Sequence, residues 1–253
     1  MIRAWKNKRR ARACLWLLSL AALACGRASK REESTQILLP RSIESLDPRF
    51  VRDPFGLKVS RLLFASLMRV DQSSLEMVPQ LAESLEIPDP RHYRVRLRPG
   101  LRFADGSPLD AEDVIATYRS IVDPGLRSRY AATYRRITQI RALDERTLEF
   151  ELQETHAPFV SDLEFPILPA EAVGKPLLSV ASLRSSSSGP YRLVRQNEGL
   201  LELEANPYWQ GPKARAPRLR LSVVRDENTR ALRLLGGRAD WMQGGAPPSL
   251  LPL

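Results

Sequence analysis

The run Leu101–Pro124, LRFADGSPLDAEDVIATYRSIVDP, constrains this chain most, because it joins a strand, a tight turn and a capped helix in one stretch. Just upstream, Tyr93, Val95 and Leu97 alternate with Arg94, Arg96 and Arg98, the period of a strand with one buried and one wet face. Pro99-Gly100 breaks that strand, and Asp105-Gly106 makes a second turn in which glycine takes a positive φ without steric cost. Asp110 is placed to accept from the amides that follow it, and Glu112 and Asp113 stand where the helix dipole favours negative charge. A helix therefore begins near Ala111. Val114, Ile115, Tyr118, Ile121 and Val122 form its apolar stripe, and Asp123-Pro124-Gly125 ends it. The carboxylates of this run cap and turn the chain; they do not form a general acid/base pair.

The first residues read as an export signal. Arg3, Lys6, Lys8, Arg9, Arg10 and Arg12 form a basic segment ahead of an apolar run from Ala13 to Ala24. That run is too short to span a bilayer, which takes about 20 apolar residues. Ala22-Leu23-Ala24-Cys25-Gly26 resembles a bacterial lipobox, which implies lipidation at Cys25; an ordinary cleaved signal is the alternative. The expected division is a signal at 1–24, a lipid anchor and tether at 25–35, and a folded domain at 36–253. The signal also accounts for much of the net charge of +10, since removing its six bases from the 39 leaves 33 against 29 acids. The rest are spread along the chain, so no nucleic-acid surface is implied. Cys14 and Cys25 are the only cysteines, which leaves the expected mature chain no thiol for a disulfide, a nucleophile or zinc.

Motifs along the chain give a specific resemblance. Phe103, Asp105, Gly106, Pro108, Leu109, Ala111, Asp113 and Val114 are in register with F-x-D-G-x-P-[LFV]-T-A-x-D-V, with Asp110 in place of Thr. Before it come Ser45-Leu46-Asp47-Pro48, Leu62-Leu63-Phe64-Ala65-Ser66-Leu67 and Val78 to Ser84. After it come Ala142 to Thr147, Gly189-Pro190-Tyr191, Asn206-Pro207-Tyr208-Trp209 and Gly236 to Asp240. This set resembles the family 5 extracellular solute-binding proteins, the peptide- and nickel-binding components of ATP-binding cassette importers. The resemblance implies an α/β fold like the type II periplasmic binding proteins: a first lobe of mixed β-sheet with flanking helices, and a second lobe largely missing, since family members are about twice this length. It also implies that the loop ahead of the first helix faces the ligand, which makes Arg52, Asp53, Pro54 and Phe55 candidates. A solvated surface loop is the competing reading of those four. Trp241 and Gln243, after the Gly236–Asp240 turn, would approach the same cleft.

The residues themselves predict further elements. A strand is expected at Gln36–Leu39, a loop from Arg49 to Gly56, and a helix marked by Val59, Leu62, Leu63, Leu67 and Val70 that runs to about Arg69. Hairpins are expected at 137–153 and 191–204, a strand at Leu219–Val223, and a helix capped by Asp226. Ser185–Ser188 alone reads as a flexible linker. The aromatics of Asn206–Trp209 read as packing anchors.

The resemblance implies non-covalent capture of a small peptide or other small solute, delivery to permease subunits, attachment to the membrane through the lipid, and residence on the periplasmic side of the envelope. The alternative is a truncated, non-binding remnant, or a structural or interaction lipoprotein whose single lobe binds no solute and acts through protein contacts. With two separate histidines, no free thiol, no P-loop and no G-x-S-x-G, neither an enzyme nor a cofactor is expected.

Overall fold

A five-stranded and a four-stranded β-sheet, with helices packed against them and a separate two-stranded ribbon, form the framework of the described chain, which in this computed structural model comprises residues 34–174 and 178–245. Cys25, the expected signal and the final residues 246–253 lie outside it. Strand β1 (Ser34–Leu39) leads through the turn at Asp47–Pro48 into helix α1 (Pro54–Leu63). Strands β2 (Met68–Val70) and β3 (Met77–Pro79) pair antiparallel, as do β4 (Ala82–Asp89) and β5 (His92–Leu97). Helix α2 (Ala111–Val122) and the single turn α3 (Ala131–Tyr134) precede the hairpin of β6 (Ile137–Ala142) and β7 (Thr147–Leu152). Three short helices follow: α4 (Phe159–Asp162), α5 (Ala170–Val173) and α6 (Val180–Ser185). Strands β8 (Tyr191–Asn197), β9 (Leu200–Ala205) and β10 (Arg218–Val223), helix α7 (Glu227–Leu235) and strand β11 (Trp241–Met242) complete the order.

The expected cap on α2 forms as a reciprocal box. Asp110 accepts from Glu112 N at 2.9 Å, and Asp113 accepts from Asp110 N at 3.0 Å. The second oxygen of Asp113 accepts from Ala170 N at 2.8 Å, which ties α5 to the start of α2. Burial is the largest influence on this carboxyl and pushes its pKa up to about 6. The apolar stripe of α2 covers the antiparallel sheet β4-β5-β7-β6, where Tyr118 meets Phe150 edge to face at 5.2 Å. The opposite face of that sheet is laced with charge. Glu149 lies between Arg141 and Arg94, which hold its carboxyl below the usual range.

The second sheet is mixed, with the order β11-β1-β10-β9-β8: β1 and β11 run parallel, and the other pairs with recorded register are antiparallel. It shares a second apolar core with α1, α5 and α6. Thr117 of α2 joins the two cores, donating to Leu168 O and accepting from Leu168 N.

The first helix differs from its expected bounds. It starts at Pro54, where Asp53 caps it and proline fills the first turn, and it stops at Leu63, whose successor Phe64 is extended. Leu67 and Val70 extend the apolar stripe for another reason: Leu67 is buried just ahead of β2, and Val70 lies in β2 opposite Met77 of β3. Ser186, Ser187 and Ser188 are likewise buried rather than a free linker. Ser187 Oγ donates to Leu183 O, and Ser188 Oγ accepts from Ala65 N and donates to Ile167 O.

Candidate functional site

Near the C-terminal end of β1, helix α1 meets strand β11 through Lys58, a residue outside the two groups picked out in the sequence. Asp53 accepts from Phe55 N at 3.0 Å and Gly56 N at 2.8 Å and is buried, so its carboxylate is occupied in starting α1. Arg52 and Pro54 are exposed beside it, and Phe55 is half-buried with the Arg41 guanidinium 5.2 Å from its ring centre. Lys58 lies one helical turn beyond Phe55, on the same face of α1. Its Nζ donates to Gln243 Oε1 at 3.0 Å and stands 6.0 Å from the ring centre of Trp241.

Strand β11 owes its place to β1. Ile37 is in register with Trp241 and Leu38 with Met242, while Asp240 N donates to Gln36 O and Gln243 N to Leu38 O, both at 2.9 Å. Gly237 takes φ 64° in the turn between α7 and this strand, a conformation that suits glycine. Arg230 of α7 is buried and donates to Val224 O and Arg225 O, which anchors the helix ahead of that turn. Trp241 remains 47% exposed, large for an aromatic ring held on a sheet strand.

The result is an open surface with two cations, Arg41 and Lys58, two aromatic rings, Phe55 and Trp241, and one amide, Gln243. Such a set can hold a small polar ligand through ring contact and hydrogen bonds. Arg41 and Lys58 escaped the sequence reading. The i, i+3 spacing of Phe55 and Lys58 was the available signal for the lysine; Arg41 had none, because its ring partner lies across a turn.

Elsewhere each histidine meets a single carboxylate: His92 Nδ1 lies 2.7 Å from Asp89 Oδ2, and His156 Nε2 lies 3.3 Å from Asp162 Oδ2. Among the described residues no serine hydroxyl bonds either ring, and no three metal-binding side chains converge.

Comparison with known proteins gives this geometry a family. Protein XP55 of Streptomyces lividans is 32% identical over 203 residues, 78% of this chain and 36% of that protein. The glutathione-binding protein GsiB of Pectobacterium atrosepticum is 27% identical over 237 residues, 89% of this chain and 45% of its own. The chain thus spans less than half the length of these relatives. The periplasmic binding protein DppA of Helicobacter pylori, solved with the peptide STSA, superposes with a TM-score of 0.73 at 24% identity, over 83% of this chain and 46% of that one. A likeness at that identity speaks for the fold, the type II-like mixed α/β lobe. The model of the bacterial extracellular solute-binding proteins, family 5, matches residues 76–253. The chain belongs to the family 5 bacterial extracellular solute-binding proteins.

Proposed function

We propose that this chain is the ligand-capturing component of a peptide-type ATP-binding cassette importer. The observation that carries the reading is the junction of α1 with β11, where Lys58 bridges Gln243 and faces the ring of Trp241. A peptide offers what this surface matches: carboxylate and carbonyl oxygens for Lys58, amide groups for Gln243, and side chains to lie on Trp241 and Phe55. Arg52 and Arg41 extend the basic margin toward an acidic terminus, and Asp53 acts by fixing the first turn of α1.

Capture is non-covalent. The ligand occupies the surface of this lobe, a second lobe closes over it, and the closed form docks on the permease, so ligand affinity selects a population. The relatives' names support small peptides as the ligand class. On this reading the chain divides into a signal at 1–24, an anchor and tether at 25–35 and a binding domain at 36–253, carries lipid on Cys25, and works on the periplasmic face of the envelope.

The test is differential scanning fluorimetry of the full chain with and without pooled di- and tripeptides. A melting temperature that rises with peptide in the parent chain and not in Trp241→Ala supports the reading, since a ligand that binds only the native state must stabilise it. A melt unmoved by every pool contradicts it.

A further inference from the structure

A cavity of about 460 Å³ forms a groove between α2 and β6, and it shares no residue with the surface at β1 and β11. One wall is the whole of β6, the last strand in the order β4-β5-β7-β6, which has β7 on one side and, among the described residues, no strand of that sheet on the other. The opposite wall is α2, through Glu112, Ile115, Arg119 and Val122. An edge strand presents a row of backbone donors and acceptors that another strand can pair with. The sequence of β6, ITQIRA, is rich in β-branched residues and has no proline to blunt that edge.

Two further facts show that the edge is open to pairing. The Ile140 carbonyl points into the groove, where its partner is Arg119 Nη2 at a long 3.5 Å. Among the described residues Arg119 forms no ion pair, so a guanidinium on the wall of the groove has no carboxylate.

From these facts we propose that the groove is a second binding site, which accepts an extended, acid-bearing segment of a partner protein as an added strand on β6. Main-chain pairing with β6 supplies the affinity, and a carboxylate on the segment takes Arg119 away from the Ile140 carbonyl, so that the carbonyl can accept from the incoming backbone. Val122, half-buried at the groove's edge, offers apolar contact to a side chain of the segment. Glu112 lies two helical turns from Arg119, about 10 Å along the axis, and repels an acid at that end, which fixes the direction of the segment. The register shift between Ile137 and Gln139 limits regular pairing to the later part of the strand.

The probe is a short fluorescein-labelled peptide of alternating valine and threonine with a central glutamate. Its ends are blocked so that it lacks the charged termini of an imported peptide. Fluorescence anisotropy with the full chain is expected to saturate. Affinity should fall about tenfold or more when the glutamate is replaced by glutamine, or in the Arg119→Gln variant, and should be lost when alternate peptide nitrogens are methylated. The methylated probe leaves the protein unaltered, so loss of folding is not a competing cause. Equal binding of the methylated probe, or binding unchanged in Arg119→Gln, overturns the proposal. Binding that disappears in Trp241→Ala overturns it as well, because the probe then sits on the β1/β11 surface. A dimer that dissociates in Arg119→Gln, seen by sedimentation, would assign the edge to a second copy and also overturn it.

Discussion

The Asn206 side-chain amide donates to the Gly189 carbonyl at 2.9 Å and so joins two sequence motifs that lie apart in the chain. Asn206 N donates to Pro190 O, and Gly189 N donates to Leu63 O at the end of α1. A Cβ at Gly189 would stand 2.9 Å from Leu62 O, Leu63 C and Phe64 N, all of them backbone atoms that cannot swing aside. Gly189→Ala should therefore destabilise the protein by about 1–3 kcal/mol, read as a lower urea midpoint with an unchanged slope.

Arg49 is fully buried and forked onto Asp47, with Nε 3.0 Å from Oδ1 and Nη2 2.8 Å from Oδ2. Its Nη1 reaches Val173 O, while Asp47 Oδ2 also accepts from Leu178 N, so the pair fastens the turn before α1 to the segment around α5. Arg49→Met should cost about 3–5 kcal/mol, because it leaves a buried carboxylate without its cation. Replacing both residues by apolar ones should cost less than that single change, which a double-mutant cycle in urea would measure.

Asp53 starts α1 through Oδ1 alone, and its Oδ2 has no hydrogen-bond partner among the described residues. Asp53→Asn should thus keep most of the cap. Asp53→Ala should lose about 1 kcal/mol and lower the melting temperature.

Asp113 gives the fold a pH signature. Its pKa rises from 3.8 to about 6 in the folded protein, so between those values the native state binds more protons than the unfolded chain. Its contribution is fully present at low pH and is lost as pH rises through about 6. Compared with Asp113→Asn, which does not titrate, the parent should lose about 2 kcal/mol of relative stability between pH 4 and 7. The carboxylates at the exposed turns, Asp71, Asp89, Asp144 and Asp226, are held low by hydrogen bonds and favour higher pH. They are present in both proteins and cancel in the difference. A stability difference that stays constant with pH would contradict the account.

Local chemistry was legible in the sequence wherever it is self-contained. The box of Asp110 and Asp113 needs only its own turn, and the 137–153 hairpin follows from its alternation and the Asp144 turn. Contacts between distant residues were not legible. Leu67 and Val70 look like a continuation of α1 but belong to the segment that pairs with β3, and the serines at 187 and 188 look like a linker but bond backbone groups of Leu183, Ala65 and Ile167. Lys58 and Gln243 meet across 185 positions, and only the parallel pairing of β1 with β11 brings them together.

The central claim is that the surface joining α1 to β11 holds a peptide. Calorimetric titration of the full chain with the peptide that raises its melting temperature most, repeated on Trp241→Ala and Lys58→Ala, tests this directly. Saturable binding to the parent is expected, weakened about tenfold or more in each variant, with both variants still folded. Binding of equal strength in all three proteins, or no heat with any peptide, would contradict it.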